Sequence, residues 1–284
     1  MRENIEYFLT RMTLFMKENE KMYFLVQVSF DGRKLHGVQE VAGFNTLSSV
    51  IRAAFNQKFP LSEVSIMRSS RLDKGVSARE LYLQLIVNND SLAYSSKEIE
   101  NWLIAFTASE HSIKFLSVVK TQKFHLLALT KQKTYRYFFT DQYTTDPFVV
   151  FVKEILNRDL IDWAVQEFIS EHHFKSFSIR GKSEEKDLRK IIHAELLTGD
   201  FDLSPLSDQL LRNVWCFEVT GVGFMRGQVR MMMGALLKLC SGQITKDDFQ
   251  NALKGNNPVN QKVGFKVPAE GLILWETILE EVEN

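Results

Sequence analysis

The sequence predicts an α+β protein made of two similar halves that face each other across a cleft. Three observations predict it. Strand-like and helix-like hydrophobic periods alternate along the chain, the order of strands and helices in the first half recurs more loosely in the second, and 284 residues suffice for one large domain or two fused ones. A hydrophobic content of 45% beside 25% charged residues excludes a disordered chain or a disulfide scaffold. No apolar run reaches the roughly 18 to 20 residues that a membrane helix needs.

Residues 1–20 place Ile5, Phe8, Leu9, Met12, Phe15 and Met16 at approximate helical spacing, an amphipathic extension ahead of the first strand. The run Tyr23 to Phe30 reads as a strand ended by Asp31-Gly32, with a turn through Gly37-Val38-Gln39. Asn45 and Thr46 offer capping oxygens to a helix bearing Leu47, Val50, Ile51, Ala54 and Phe55 on one face and stopped at Pro60. A strand Val64–Arg68 leads to Arg71-Leu72-Asp73-Lys74-Gly75-Val76, and Leu81, Leu83, Leu85 and Val87 alternate as a buried strand beyond it. Ser95-Ser96 followed by Glu98 opens a second helix, and Phe115 to Val119 reads as a further strand.

In the second half, Lys133 to Thr140 is a strand, Asp159 caps a helix through Trp163, Val165 and Phe168, and Ile191–Leu197 and Trp215–Thr220 are strands. A long helix spans Phe224 to Leu239, and Leu272 to Trp275 is a late strand. The polar stretches 180–190 and 199–212 read as surface loops. The expected organisation is an extension over 1–20, one half over 21–130 and the other over 131–284.

The 35 basic and 35 acidic residues cancel, but they are not spread evenly. Residues 21–150 carry 16 basic against 11 acidic side chains and residues 151–284 carry 16 against 20, which permits a basic face on the first half. Cys216 on a strand and Cys240 on a helix suit buried hydrophobes in a reducing compartment. The charged N-terminus does not read as a signal peptide, so the expectation is cytoplasmic.

Asp73, between Arg71 and Lys74 and two residues before Gly75, sits where catalytic loops lie; taken alone, the stretch suits a hairpin turn better, its Asp accepting backbone hydrogen bonds. A carboxylate used as a nucleophile must stay ionised, which in a cleft requires a cation beside it. Arg71, Lys74 and the distant Arg230 are the candidates. Arg230 lies on an apolar face where it needs a partner, either Asp73 or another carboxylate. Tyr135, Tyr137 and Phe139 share one strand face, a pattern usual for core, though a tyrosine at a cleft edge stacks on a base. The neighbours His172 and His173 cannot share a helix face and have no companion ligands, and Gly221-Val222-Gly223 lacks the context of a nucleotide loop.

Taken together, these segments resemble the TruA-type tRNA pseudouridine synthases. The likeness rests on Phe30-Asp31-Gly32 with Gly37-Val38-Gln39, the Asp73 loop, Phe124-His125, Thr134-Tyr135-Arg136-Tyr137, His173-Phe174-Lys175-Ser176-Phe177, Phe224 to Arg230 with Met232 and Gly234, and Pro268-Ala269-Glu270-Gly271-Leu272. It implies two facing ferredoxin-like (RRM-like) α/β halves with mixed, mainly antiparallel sheets. It also implies isomerisation of uridine to pseudouridine, typically in the anticodon stem-loop of tRNA, by a homodimer without cofactor or metal. Asp73 then matches the nucleophile, Tyr135 the aromatic that packs on the base, and Arg230 the partner of the aspartate. Because the target base must leave its stack, Arg71, Lys74, Gln39 and Arg226 are expected to contact RNA. Leu72 stands where the family prefers Thr, Val38 where bacterial members carry Trp, and Leu127 where an Arg follows Phe-His. The rival reading is a non-catalytic RNA-binding or RNA-folding protein on the same scaffold. A glycosidase-like use of Asp73 lacks a nominated second acid.

Overall fold

A computed structural model describes residues 21–89, 93–108, 112–153, 156–179, 187–256 and 262–280. The amphipathic reading of residues 1–20 lies outside them, as does most of 180–190. The first half comprises β1 (Lys21–Phe30), a 3-10 turn (Gly32–Lys34), α1 (Leu47–Lys58), β2 (Glu63–Arg68), β3 (Ser77–Asn88), α2 (Ser96–Ala105), β4 (Thr107–Ala108) and β5 (Ile113–Thr121). α3 (Leu126–Leu129) and β6 (Thr130–Thr140) lead into β7 (Val150–Phe151), α4 (Arg158–Glu167), β8 (Ser170–His173), β9 (Leu188–Asp202), β10 (Leu210–Gly221), α5 (Gln228–Cys240), α6 (Lys246–Leu253) and β11 (Leu272–Leu279).

Local chemistry explains most helix starts. Thr46 with Ser49 and Ser95 with Glu98 form reciprocal capping boxes that satisfy otherwise orphaned N–H groups. α4 is capped by Asn157, whose side chain accepts from Leu160 N–H, not by Asp159; the latter sits in the first turn, where its charge complements the helix dipole. α5 starts at Gln228 rather than Phe224, because Gly227 takes a left-handed φ of +67° that a helix cannot run through; the Gln228 side chain then turns back to accept the Met225 N–H at 2.7 Å. His172 and His173 lie on β8, not on a helix.

The α+β class and the mainly antiparallel sheet are as expected. The strands of both halves belong to one sheet rather than to two, however. One sheet runs β4-β5-β1-β3-β11-β6-β10-β9-β8, with β2 beside β3 and β7 beside β6. The halves join where Ser77 and Ala78 of β3 pair in parallel with Ile273 and Leu274 of β11, and Leu274 in turn lies opposite Tyr135 of β6. β2 takes the remainder of that β3 edge, from Leu83 to Asn88. The edge of β3 is thus shared by two strands, and the Asp73 loop crosses the fork between them.

A bulge tunes this junction. Val28 lies opposite Leu81 but Phe30 opposite Ala78, so β3 carries one extra residue at Arg79–Glu80. Ala78 consequently returns to the helix-bearing face, in a row with Leu274 and Tyr135. On that face Ile51 and Phe55 of α1, Ile99 and Leu103 of α2, Ile161 of α4, Met232 of α5 and Phe249 of α6 form one core with Phe24, Leu83, Tyr137 and Phe217. The other face carries a smaller core of Phe138, Phe148, Leu203, Leu206, Cys216 and Ile273. Stretch 199–212 is therefore the end of a hairpin rather than a loop. Its polar residues mark the solvent side of β9 and β10, while Leu203 and Leu206 close its tip against the sheet.

Candidate functional site

The Asp73 turn is closed by the Val76 N–H donating to the Asp73 carbonyl at 3.2 Å. Its surroundings clamp it: Gly75 N–H donates to the Leu35 carbonyl at 3.3 Å, and Gly32 N–H to Ser77 Oγ at 3.0 Å. Gly37 takes a φ of +90°, and a Cβ there would lie 2.5 Å from the Leu72 carbonyl oxygen. Gly37→Ala is expected to cost about 2–4 kcal/mol, read by denaturant unfolding, because the backbone is left-handed and the Asp73 loop has to shift. Leu72 and Val38 are both buried in the main core. Leu127 is exposed on α3, whose cap is His125 accepting from Ala128 N–H at 3.1 Å.

Three cations converge on the carboxylate. Arg226 Nε lies 3.7 Å from Oδ1, while Arg230 Nη1 and Lys266 Nζ lie 3.8 and 3.0 Å from Oδ2. Oδ2 is buried, and none of its neighbours donates a well-directed hydrogen bond to it. Arg71 and Lys74 are exposed and, among the described residues, make no ion pair with Asp73; Gln39 is exposed as well. The structure thus brings Asp73 and Arg230 together and adds Arg226, which sequence reasoning placed on RNA alone.

Arg230 projects from α5 and is 8% exposed. Its Nε donates to the Val267 carbonyl at 2.7 Å, so the guanidinium divides its fork between that carbonyl and Asp73. Burial pushes its pKa down, and the Asp73 carboxylate is the leading influence in the opposite direction. Tyr135, 6% exposed, presents its ring edge-on to Phe224 with centroids 5.0 Å apart. Burial pushes its hydroxyl up to about 12, offset in part by the Ser70 hydroxyl and reinforced by Asp73. At neutral pH it is therefore a neutral phenol that can donate or accept a hydrogen bond. Tyr137, one pleat further on, donates to the Pro268 carbonyl at 3.1 Å.

Lys266 belongs to a segment that periodicity passes over. Residues 263–268 run without helix or strand along α5 at very close range. A Cβ on Gly234 would lie 2.0 Å from the Phe265 carbonyl oxygen, and one on Gly264 2.0 Å from that of Met231. Glycine at both positions lets the two backbones touch. The same segment supplies the Val267 and Pro268 carbonyls and brings Ala269 against Gly75. A lysine in coil has no local signature, so only Gly234 and the Pro268-to-Gly271 run hinted that this segment mattered.

Chemically, the Asp73 carboxylate faces three cations with a neutral phenol nearby, and Glu270 adds a second negative charge within electrostatic reach of Arg230. Among the described residues no group of three His, Cys, Asp or Glu side chains could hold a metal ion. A family model described as tRNA pseudouridine synthase matches residues 164–278. The chain is 30% identical over 262 residues to the tRNA pseudouridine synthase A of Mycoplasmoides gallisepticum, covering 90% of each protein. It is 27% identical over 270 residues to that of Staphylococcus aureus strain MRSA252, covering 92% of this chain and 94% of the relative. For the Streptococcus uberis protein of the same name the figures are 26% over 260 residues, 89% and 97%.

Proposed function

Because this chain belongs to the tRNA pseudouridine synthase family, we propose that it isomerises uridine to pseudouridine in tRNA, with Asp73 as nucleophile, Arg230 as its orienting partner and Tyr135 as the aromatic at the base. The observation that carries the reading is the convergence of Asp73, Arg230 and Tyr135 from a loop, a helix and a strand far apart in sequence. The target nucleotide leaves its stack, and an Asp73 oxygen bonds to the sugar C1′ as the C1′–N1 bond breaks. The base turns and C5 attacks C1′, expelling the carboxylate; the C5 proton is lost and N1 gains one, so no atom is added or removed. Arg230, held by Val267, fixes the direction of the carboxylate. Tyr135 packs on the base and its neutral hydroxyl accepts or relays a proton.

Arg71, Lys74, Gln39 and the exposed Arg226 are available to the RNA, the cations through backbone phosphates. The protein is read as a cytoplasmic homodimer acting on the anticodon stem-loop without cofactor or metal, on the strength of the family resemblance. No helix among the described residues is long and apolar enough to cross a membrane. The test is to incubate the protein with tRNA and map pseudouridine chemically. Absence of product at saturating enzyme defeats the proposal in favour of a non-catalytic RNA-binding protein.

Tyr135→Phe is expected to slow single turnover about 10²-fold with tRNA affinity retained. The wild-type rate should show no alkaline limb from this residue below about pH 11, since burial favours the protonated phenol and the folded state keeps its proton up to about pH 12. Ultraviolet titration of wild type against Tyr135→Phe locates the ionisation.

A further inference from the structure

We propose that Lys266 is a further catalytic residue, whose ammonium pairs with Asp73 in the free enzyme and passes to the negative charge that appears on the uracil when Asp73 forms its covalent bond. The inference rests on the reading of Asp73 as nucleophile. Lys266 is the nearest of the three cations, with Nζ 3.0 Å from Oδ2. It makes this approach without a well-directed hydrogen bond, so the contact is electrostatic.

The three cations differ in freedom. Arg230 is committed to the Val267 carbonyl and almost wholly buried. The Arg226 side chain is 75% exposed, where solvent weakens its pull on the site and where it can meet phosphate. Lys266 combines a fixed root with a movable head. Its backbone is pressed onto α5 through Gly234 and Gly264, while its side chain is only partly covered and ends in a compact charge on a four-carbon stem.

Charge conservation supplies the chemical reason. When an Asp73 oxygen bonds to C1′, the carboxylate becomes a neutral ester and the C1′–N1 electron pair leaves with the base. The unit of negative charge has then moved from Asp73 to the uracil ring, where it spreads over the ring oxygens and nitrogens. An ammonium already in contact with the carboxylate loses its partner at that moment and meets the new anion after a small displacement. With the tRNA seated over the site this stabilises the state that follows bond cleavage more than the bound substrate, which accelerates the chemical step. When C5 attacks C1′ the carboxylate is expelled and Lys266 returns to it.

The test uses single turnover on tRNA at saturating full-length protein, with tRNA affinity and thermal melting measured in parallel. Lys266→Met is expected to lower the rate by about 10²–10³-fold, with affinity changed by less than about threefold. Lys266→Arg, which keeps the charge, should recover most of the rate. A wild-type rate in Lys266→Met overturns the inference. So does a loss confined to affinity, which would make Lys266 a phosphate contact. If Lys266→Met melts early, Lys266→Gln is measured as well, and a rate that merely tracks the folded fraction in both variants also overturns it. Asp73→Asn run alongside separates the two readings: activity in that variant defeats the nucleophile itself, whereas an inactive Asp73→Asn beside a fully active Lys266→Met defeats Lys266 alone.

Discussion

Asp73→Asn is expected to abolish pseudouridine formation while the protein stays folded and still binds tRNA. The expected loss in single-turnover rate is at least about 10⁴-fold, the scale seen when a nucleophile is removed from a constellation that acts as a unit. The amide has the same shape, so Gly37, Gly75 and Ser77 keep their contacts with the loop. It cannot form the ester, and it leaves Arg226, Arg230 and Lys266 without their shared counter-charge. The stability cost should be about 1–3 kcal/mol, because Arg230 keeps its bond to the Val267 carbonyl and the other two cations can turn to water. Affinity for tRNA should hold or tighten, since one negative charge has been removed from a site that receives a polyanion. Chemical mapping of pseudouridine in tRNA treated with the variant decides the matter, and a modified uridine made at the wild-type rate removes Asp73 from the mechanism.

Arg230→Lys should be the next most damaging change, with single turnover slowed about 10²–10³-fold and tRNA affinity within about threefold of wild type. Charge is conserved, so a purely electrostatic role would predict little effect. The geometry predicts otherwise. Arg230 uses Nε for the Val267 carbonyl at 2.7 Å and Nη1 for Asp73 at 3.8 Å, two directions set by one planar group. A lysine from the same helical position is a single point charge and cannot serve both. If it turns to Asp73, the Val267 carbonyl is left unpaired in a buried place; if it turns to Val267, Asp73 loses its orienting partner. Either outcome also disturbs Lys266, which is adjacent to Val267 in the chain. Equal activity of Arg230→Lys and wild type would refute the positioning role.

Some of this was legible residue by residue. Thr46 before Leu47 and Ser95 before Glu98 announced two helices, because capping is a contact among near neighbours. Alternation along β6 placed Tyr135, Tyr137 and Phe139 on one face and Phe138 on the other, as the two cores bear out. Asp73, Tyr135 and Arg230 were nominated by resemblance, and the structure brings them together. By contrast, the polar residues of 199–212 concealed a hairpin, and the apolar run before Gln228 extended a helix that in fact begins only after the left-handed Gly227.

The amino-acid order by itself determined the elements and the groups able to do chemistry, because capping, pleat alternation and turn formation act over a few residues. Tertiary structure alone decided that the two halves share one sheet at Ser77 and Ala78, that a bulge at Arg79–Glu80 turns Ala78 toward the helices, and that Lys266 meets Asp73. Those outcomes depend on long-range contacts such as the close approach of Gly234 to Phe265, whose energies come from packing between segments and leave no period in the chain.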